Sequence, residues 1–138
     1  MSDGEFYIKT QEGAYDLEAY VRRIGMDFVV AIWGGDRPHI GAVSVAQPRP
    51  SLKDPDVTSA SASVICILGH KEDELAKAVS EILSSSLNAV VTVIAGIHWD
   101  NISAQGVQQI VKNSEILTDM ILWKAARIQD HFETPNPE

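Results

Sequence analysis

Ala89-Val90-Val91-Thr92-Val93-Ile94-Ala95-Gly96-Ile97-His98-Trp99-Asp100-Asn101 is the stretch on which the fold turns. Its first seven residues form an unbroken apolar and β-branched run, short enough for a strand and ended by a glycine. Four functional side chains then follow in consecutive positions: His98, Trp99, Asp100 and Asn101. Loops at strand ends are where a rigid scaffold displays chemistry, so this loop is the first candidate site.

Working backward, Lys71 to Leu83 reads as a helix, with Leu75, Val79, Ile82 and Leu83 at i, i+4, i+7 and i+8. Glu72, Asp73 and Glu74 in its first turn complement the helix dipole, and Ser84-Ser85-Ser86 with Asn88 ends it. Ser61 to Leu68 is the strand before it. A strand–helix–strand unit makes 61–68 and 89–95 parallel, joined by a crossover. Gly69-His70-Lys71 and Gly96-Ile97-His98 then share one rim of the sheet. Within 61–68, Cys66 reads as a buried small apolar residue.

Forward of the opening stretch, Ser103 is a candidate N-cap. Val107, Ile110, Val111, Ile116, Leu117, Met120, Ile121 and Ile128 continue a helical stripe, with a break allowed near Asn113-Ser114. The tail Thr134–Glu138 reads as frayed.

Four further strands precede this unit. Glu5 to Thr10 is the first. Tyr15 to Arg22 alternates apolar and charged residues, a half-exposed strand, although Leu17, Tyr20, Val21 and Ile24 also fit a helical stripe. Phe28 to Trp33 and Ile40 to Ala46 are nearly continuous apolar runs, which read as a hairpin of strands covered on both faces. Their connection, Gly34-Gly35-Asp36-Arg37-Pro38-His39-Ile40-Gly41, is the third polar cluster. Whether it reaches the rim of His70 and His98 depends on the direction of strand 28–33, which the sequence leaves open. Gln47 to Thr58, with Pro48, Pro50 and Pro55, reads as a mobile surface loop. The whole is one domain, 1–138.

Three readings of the clusters compete. In the plainest, the residues cap and turn: Asp36 with Pro38, His70 before a helix, Asn101 and Ser103 at the last one. A metal-dependent hydrolase could use His39, His70, His98 and Asp100, but no HxxxH or HxH pair preorganises two ligands on one element. An anion site could use the fork of Arg37, the point charge of Lys71 and loop amides, with Trp33 or Trp99 against an aromatic ring. Glu72, Asp73 and Glu74 compete with an anion at that helix end. No GxSxG elbow, Walker loop or GxGxxG is present, so nothing names a reaction.

The chain has 138 residues, 45% hydrophobic and 22% charged, with a net charge of −8 and a sequence pI near 4.9. That balance argues against nucleic acid and anionic membrane as partners. A single cysteine excludes an internal disulfide. The first residues carry no signal peptide, and no apolar run approaches the roughly 20 residues of a membrane helix, so a cytoplasmic location is expected.

Three motifs, taken in order and spacing, resemble a known family. They are Gly35-Asp36-Arg37-Pro38-His39-Ile40-Gly41, Gly69-His70-Lys71-Glu72-Asp73-Glu74 and Gly96-Ile97-His98-Trp99-Asp100-Asn101-Ile102. The similarity, over roughly residues 25 to 125, is to the small prenylated-flavin chaperones associated with UbiD-type decarboxylases, the D subunit of gallate decarboxylase among them. The resemblance implies a non-catalytic accessory protein that binds prenylated FMN and assists its delivery to a UbiD-type decarboxylase subunit. It implies an α+β fold similar to proteasome-assembly chaperones, often a homodimer. With the strands and helices above, that means a mixed sheet of about six strands packed by two or three helices. By motif position it assigns Gly35, Asp36, Arg37, His39, His70, Lys71, His98, Trp99, Asp100 and Asn101 to the cofactor. A purely structural assembly subunit, using Ile116, Met120 and Trp123 as an interface, is the other alternative.

Overall fold

A computed structural model of the chain describes residues 3–67 and 72–133. Its strands are β1 (Glu5–Lys9), β2 (Glu18–Ile24), β3 (Asp27–Gly35), β4 (Ala42–Pro50), β5 (Thr58–Cys66) and β6 (Val91–His98). The helices are α1 (Asp73–Leu87), between β5 and β6, and α2 (Ala104–Glu133), after β6. This is the expected α+β architecture. The strands form one mixed sheet in the order β1-β2-β3-β6-β4-β5. Neighbours are antiparallel except β3 and β6, which are parallel in the register Phe28↔Val91 to Gly35↔His98.

The expected hairpin of β3 and β4 does not form, because β6 lies between them. The most continuously apolar strand in the chain thereby gains hydrogen-bonding neighbours on both edges. β4 turns back instead against β5. β5 and β6 run in the same direction, as expected, but β4 separates them.

Boundaries moved for local reasons. Tyr15 adopts a left-handed conformation, φ 57°, so the strand expected from Tyr15 begins at Glu18. Gln47 to Pro50 and Thr58, expected in a loop, belong to β4 and β5. Pro48 and Pro50 are tolerated there because β6 pairing stops at Ala46, leaving one edge of β4 open. α1 runs on through the serines to Leu87, since Ser84 Oγ donates to the carbonyl of Ala89 at 2.7 Å and Ser85 Oγ to that of Ile82 at 3.2 Å. Asn88, left-handed at φ 51°, ends it by returning its N–H to Ser84. Ser103 does cap α2, its Oγ accepting the N–H of Gly106 at 3.0 Å. No break occurs at Asn113-Ser114. Asn113 is buried and donates to the carbonyls of Ala14 and Tyr15 at 2.9 and 2.7 Å, tying α2 to the turn before β2.

Both helices pack on the same face of the sheet, α1 over β4, β5 and β6, and α2 over β1 and β2. Leu17, Val21, Val30, Val91, Val93, Leu83, Leu117 and Ile121 fill the layer between, each almost fully buried. Burying one such side chain contributes about 1.5–3 kcal/mol. The hydroxyls of Ser44 on β4 and Ser80 on α1 meet at 2.7 Å within this layer, so this buried polar pair is satisfied. Among the described residues no helix packs on the opposite face, although β3, β6 and β4 are apolar on that side too. Cys66, expected to be buried, is exposed because β5 is an edge strand.

A polar rim and an apolar cleft

β3, β5 and β6 run in one direction, so their C-terminal ends meet on one rim. This settles the direction of strand 28–33 and brings the 36–41 loop to the loop after β6. The junction is made by backbone. Asp36 and Arg37 both donate their N–H groups to the carbonyl of His98, at 2.7 and 3.4 Å, and Gly41 donates to Ala95 at 2.8 Å. The loop thus crosses the end of β6 on its way to β4. Two glycines permit that approach. A β-carbon on Gly96 would overlap the carbonyl of His39, and one on Gly35, whose φ is +95°, would overlap the carbonyl of His98.

Side chains lock the same junction. Asp36 Oδ2 accepts the N–H of Asp100 at 3.0 Å. His98 Nε2 donates to Asp100 Oδ1 at 2.9 Å, and Arg37 Nη2 lies 3.7 Å from that oxygen. The hydrogen bond from His98, reinforced by the Arg37 charge, holds the Asp100 carboxyl below its usual range. Asn101 turns the chain at φ 54°, a left-handed position that asparagine tolerates well. Trp99 packs edge-on to Tyr15, ring centres 5.2 Å apart, against the margin of the core.

His39 is placed differently from its neighbours. Its Nδ1 donates to the carbonyl of Arg37 at 2.8 Å, while its Nε2 faces Glu72 Oε1 at 3.0 Å. The same Glu72 oxygen accepts the N–H of Ile97 at 3.3 Å. Glu72, expected only to complement the helix dipole, is therefore a buried post between the loop, β6 and α1. Gly41 makes room for it: a β-carbon there would stand 2.5 Å from Glu72 Oε2. His70 and Lys71 lie outside the described residues. Among the described residues, which leave out His70, no three His, Cys, Asp or Glu side chains are grouped to hold a metal ion.

The sequence reading missed a cleft. The start of α1 stands apart from the first half of α2 and leaves a cavity of about 800 Å³, which opens at the rim. Leu75, Val79 and Ile82 wall one side, Val107, Ile110 and Val111 the other, with Ile97, His98 and Trp99 at the sheet end. Glu74, Glu115 and Asp119 stand on its margin. The signal was in the sequence as two apolar helical stripes. Their excess is visible only in place: Val107, Val111 and Ile82 each keep about half their surface exposed, 48%, 51% and 48%.

His98 and Trp99 therefore belong to both features, the polar rim and the apolar cleft. A cleft of this size, walled by aliphatic side chains with a few polar groups at one end, has the size and lining of a small-molecule site.

The chain is similar to known proteins in both fold and sequence. A likeness in fold appears to a chain from the chaperone complex for yeast 20S proteasome assembly: TM-score 0.55 at 12% identity, covering 88% of this chain and 98% of that one. Protein LpdD of Lactiplantibacillus plantarum is 24% identical over 118 residues, 85% of this chain and 83% of its own length. The model of the prenylated flavin chaperone LpdD-like domain matches residues 11–126. With the match covering β2 to β6, α1 and most of α2, the chain belongs to the LpdD-like prenylated flavin chaperone family.

Proposed function

We propose that this chain binds prenylated FMN in the cleft and on its rim, and passes it to an apo UbiD-type decarboxylase. The observation that carries this reading is the meeting of the α1–α2 cleft with the Arg37, His98 and Asp100 cluster at Trp99. The cavity of about 800 Å³ lies inside the 300–1,000 Å³ range typical of small-molecule and cofactor sites. Its aliphatic walls suit a fused aromatic ring carrying an added hydrocarbon ring.

The phosphate end is directed by charge. Glu74, Glu115 and Asp119 on the helix margin disfavour an anion there, whereas the Arg37 side chain is 73% exposed at the loop end. A phosphate would compete with Asp100 for Arg37 and take a bidentate contact in place of the present 3.7 Å approach. His98, Trp99, Asp100 and Asn101 line the rim; Gly35 and Asp36 hold the loop beside it; His39 positions that loop through Glu72. His70 and Lys71 remain candidates by motif position.

Binding, shielding and release are the work of these residues. The decarboxylation chemistry belongs to the acceptor enzyme, and the role here is accessory, in the cytoplasm. Among the described residues no helix is long and apolar enough to cross a membrane.

The test is transfer. Protein mixed with prenylated FMN under anaerobic conditions, desalted and added to the apo-decarboxylase should retain the flavin and restore activity. Failure to retain it, with or without oxygen, would overturn the proposal.

A further inference from the structure

β1 is an outer strand, paired only with β2 among the described residues. The Thr10 N–H donates to the carbonyl of Leu17 at 3.0 Å, and the Gly4 carbonyl accepts from Arg23 at 2.7 Å. Bonding alternates along an antiparallel ladder, so Phe6 and Ile8 also turn their backbone groups toward β2. Tyr7 and Lys9 direct their N–H and C=O groups away from the sheet.

Beside that edge, α2 leaves a groove. Ile8 of β1 with Asp119, Met120, Trp123 and Lys124 of α2 line a cavity of about 350 Å³, almost wholly apolar at its surface. Trp123 is 58% exposed, and the Arg127 guanidinium lies 3.4 Å from its ring centre, which holds the indole in place.

We propose that an extended segment of the acceptor enzyme adds to β1 as a seventh strand and sets a large apolar side chain into this cavity. The identity of the partner rests on the delivery reading above, but the kind of segment follows from the edge. Outward N–H and C=O groups two residues apart are the template that an added strand matches. A residue of that strand opposite Ile8 points to the same side of the sheet as Ile8, the side of the cavity. β1 has only five residues, so backbone pairing alone is weak and the cavity selects the segment.

Charge selects further. In a chain of net charge −8, two cations, Lys124 and Arg127, flank the indole, against one lining carboxylate, Asp119. The groove therefore favours a segment with an acidic residue near its apolar one.

Position serves delivery. β1 is antiparallel to β2 and β2 to β3, so β1 runs with β3 and its Lys9 end lies on the rim. The turn that follows carries Tyr15, whose ring packs on Trp99. A segment docked on β1 reaches the rim beside Trp99 and leaves the cleft, which faces α1, open.

Hydrogen exchange on the wild-type chain, with and without an apo UbiD-type decarboxylase, tests this. The amides of Tyr7 and Lys9 should slow about tenfold or more with the enzyme, while those of Phe6 and Ile8, already bonded to β2, change little. Lys9→Pro removes one outward N–H and no bond to β2, a change that an edge strand tolerates. Trp123→Ala removes a wall of the cavity at an exposed position. Each should keep the circular dichroism of wild type and weaken association with the enzyme by about tenfold or more. Both should retain prenylated FMN through desalting, a measurement made without the enzyme that checks the binding reading separately. Unchanged exchange at Tyr7 and Lys9 under excess enzyme, no association at all, or both variants associating like wild type would overturn the inference. So would the same slowing in the chain alone at rising concentration, which would give this edge to a second copy.

Discussion

The α-carbon of Gly96 lies directly under the carbonyl of His39, with no room for a β-carbon between them. That contact is where the 36–41 loop crosses the end of β6, and it exists because β6 is inserted between β3 and β4. The loop must pass over the inserted strand to reach β4, and glycine lets it pass close enough for Gly41 to donate to Ala95.

Gly96→Ala should therefore lift the loop from the strand. Overpacking of this kind costs about 1–3 kcal/mol, to be read from chemical denaturation. Hydrogen exchange at Asp36 and Gly41 should accelerate with it, while the amides of β1 and β2 stay protected.

Glu72 holds the same loop from below through His39 and the N–H of Ile97. Glu72→Ala removes an acceptor shared by both and should lower stability by about 1–3 kcal/mol. Because β6 pairing continues on its other edge, the loss should appear mainly as faster exchange at Ile97 and weaker flavin retention.

Asp100 gives a pH signature. The hydrogen bond from His98, then the charge of Arg37, holds its folded pKa below the usual 3.8. The stabilisation is therefore complete above the unfolded value and is lost as pH falls through the lowered one. The carboxyl is exposed, so a direct NMR titration is the right measurement. Its midpoint should lie below 3.8 and move up in His98→Ala and, by less, in Arg37→Ala.

Val111→Asp should distinguish the cleft from the rest of the molecule. Its side chain is half exposed, so an aspartate there is tolerated by the fold, but it places a charge in the apolar wall. Flavin affinity should fall at least about tenfold with little change in melting temperature.

Much of the rim was legible in the sequence because its logic is local. Gly96 ends an apolar run, and His98 to Asn101 follow it; direction along a strand fixes which end they occupy. The strand order was not legible. Val91 to Ala95 pairs with Phe28 to Ile32 across more than 60 positions, and the 28–33 and 40–46 runs look like a hairpin until a better neighbour enters between them. The pairing of His39 with Glu72 was not legible either, since only the crossing loop turns one toward the other. The cleft was hidden for a similar reason. An apolar stripe on α1 or α2 reads as core contact whether or not the opposite helix closes over it.

The most direct test of the central claim is hydrogen exchange with and without bound prenylated FMN. Binding at the cleft and rim predicts protection confined to the start of α1, the first half of α2, residues 36–41 and residues 97–101, and its loss in Val111→Asp. Protection confined to the open sheet face, or a flavin that leaves no mark on the cleft, would contradict it.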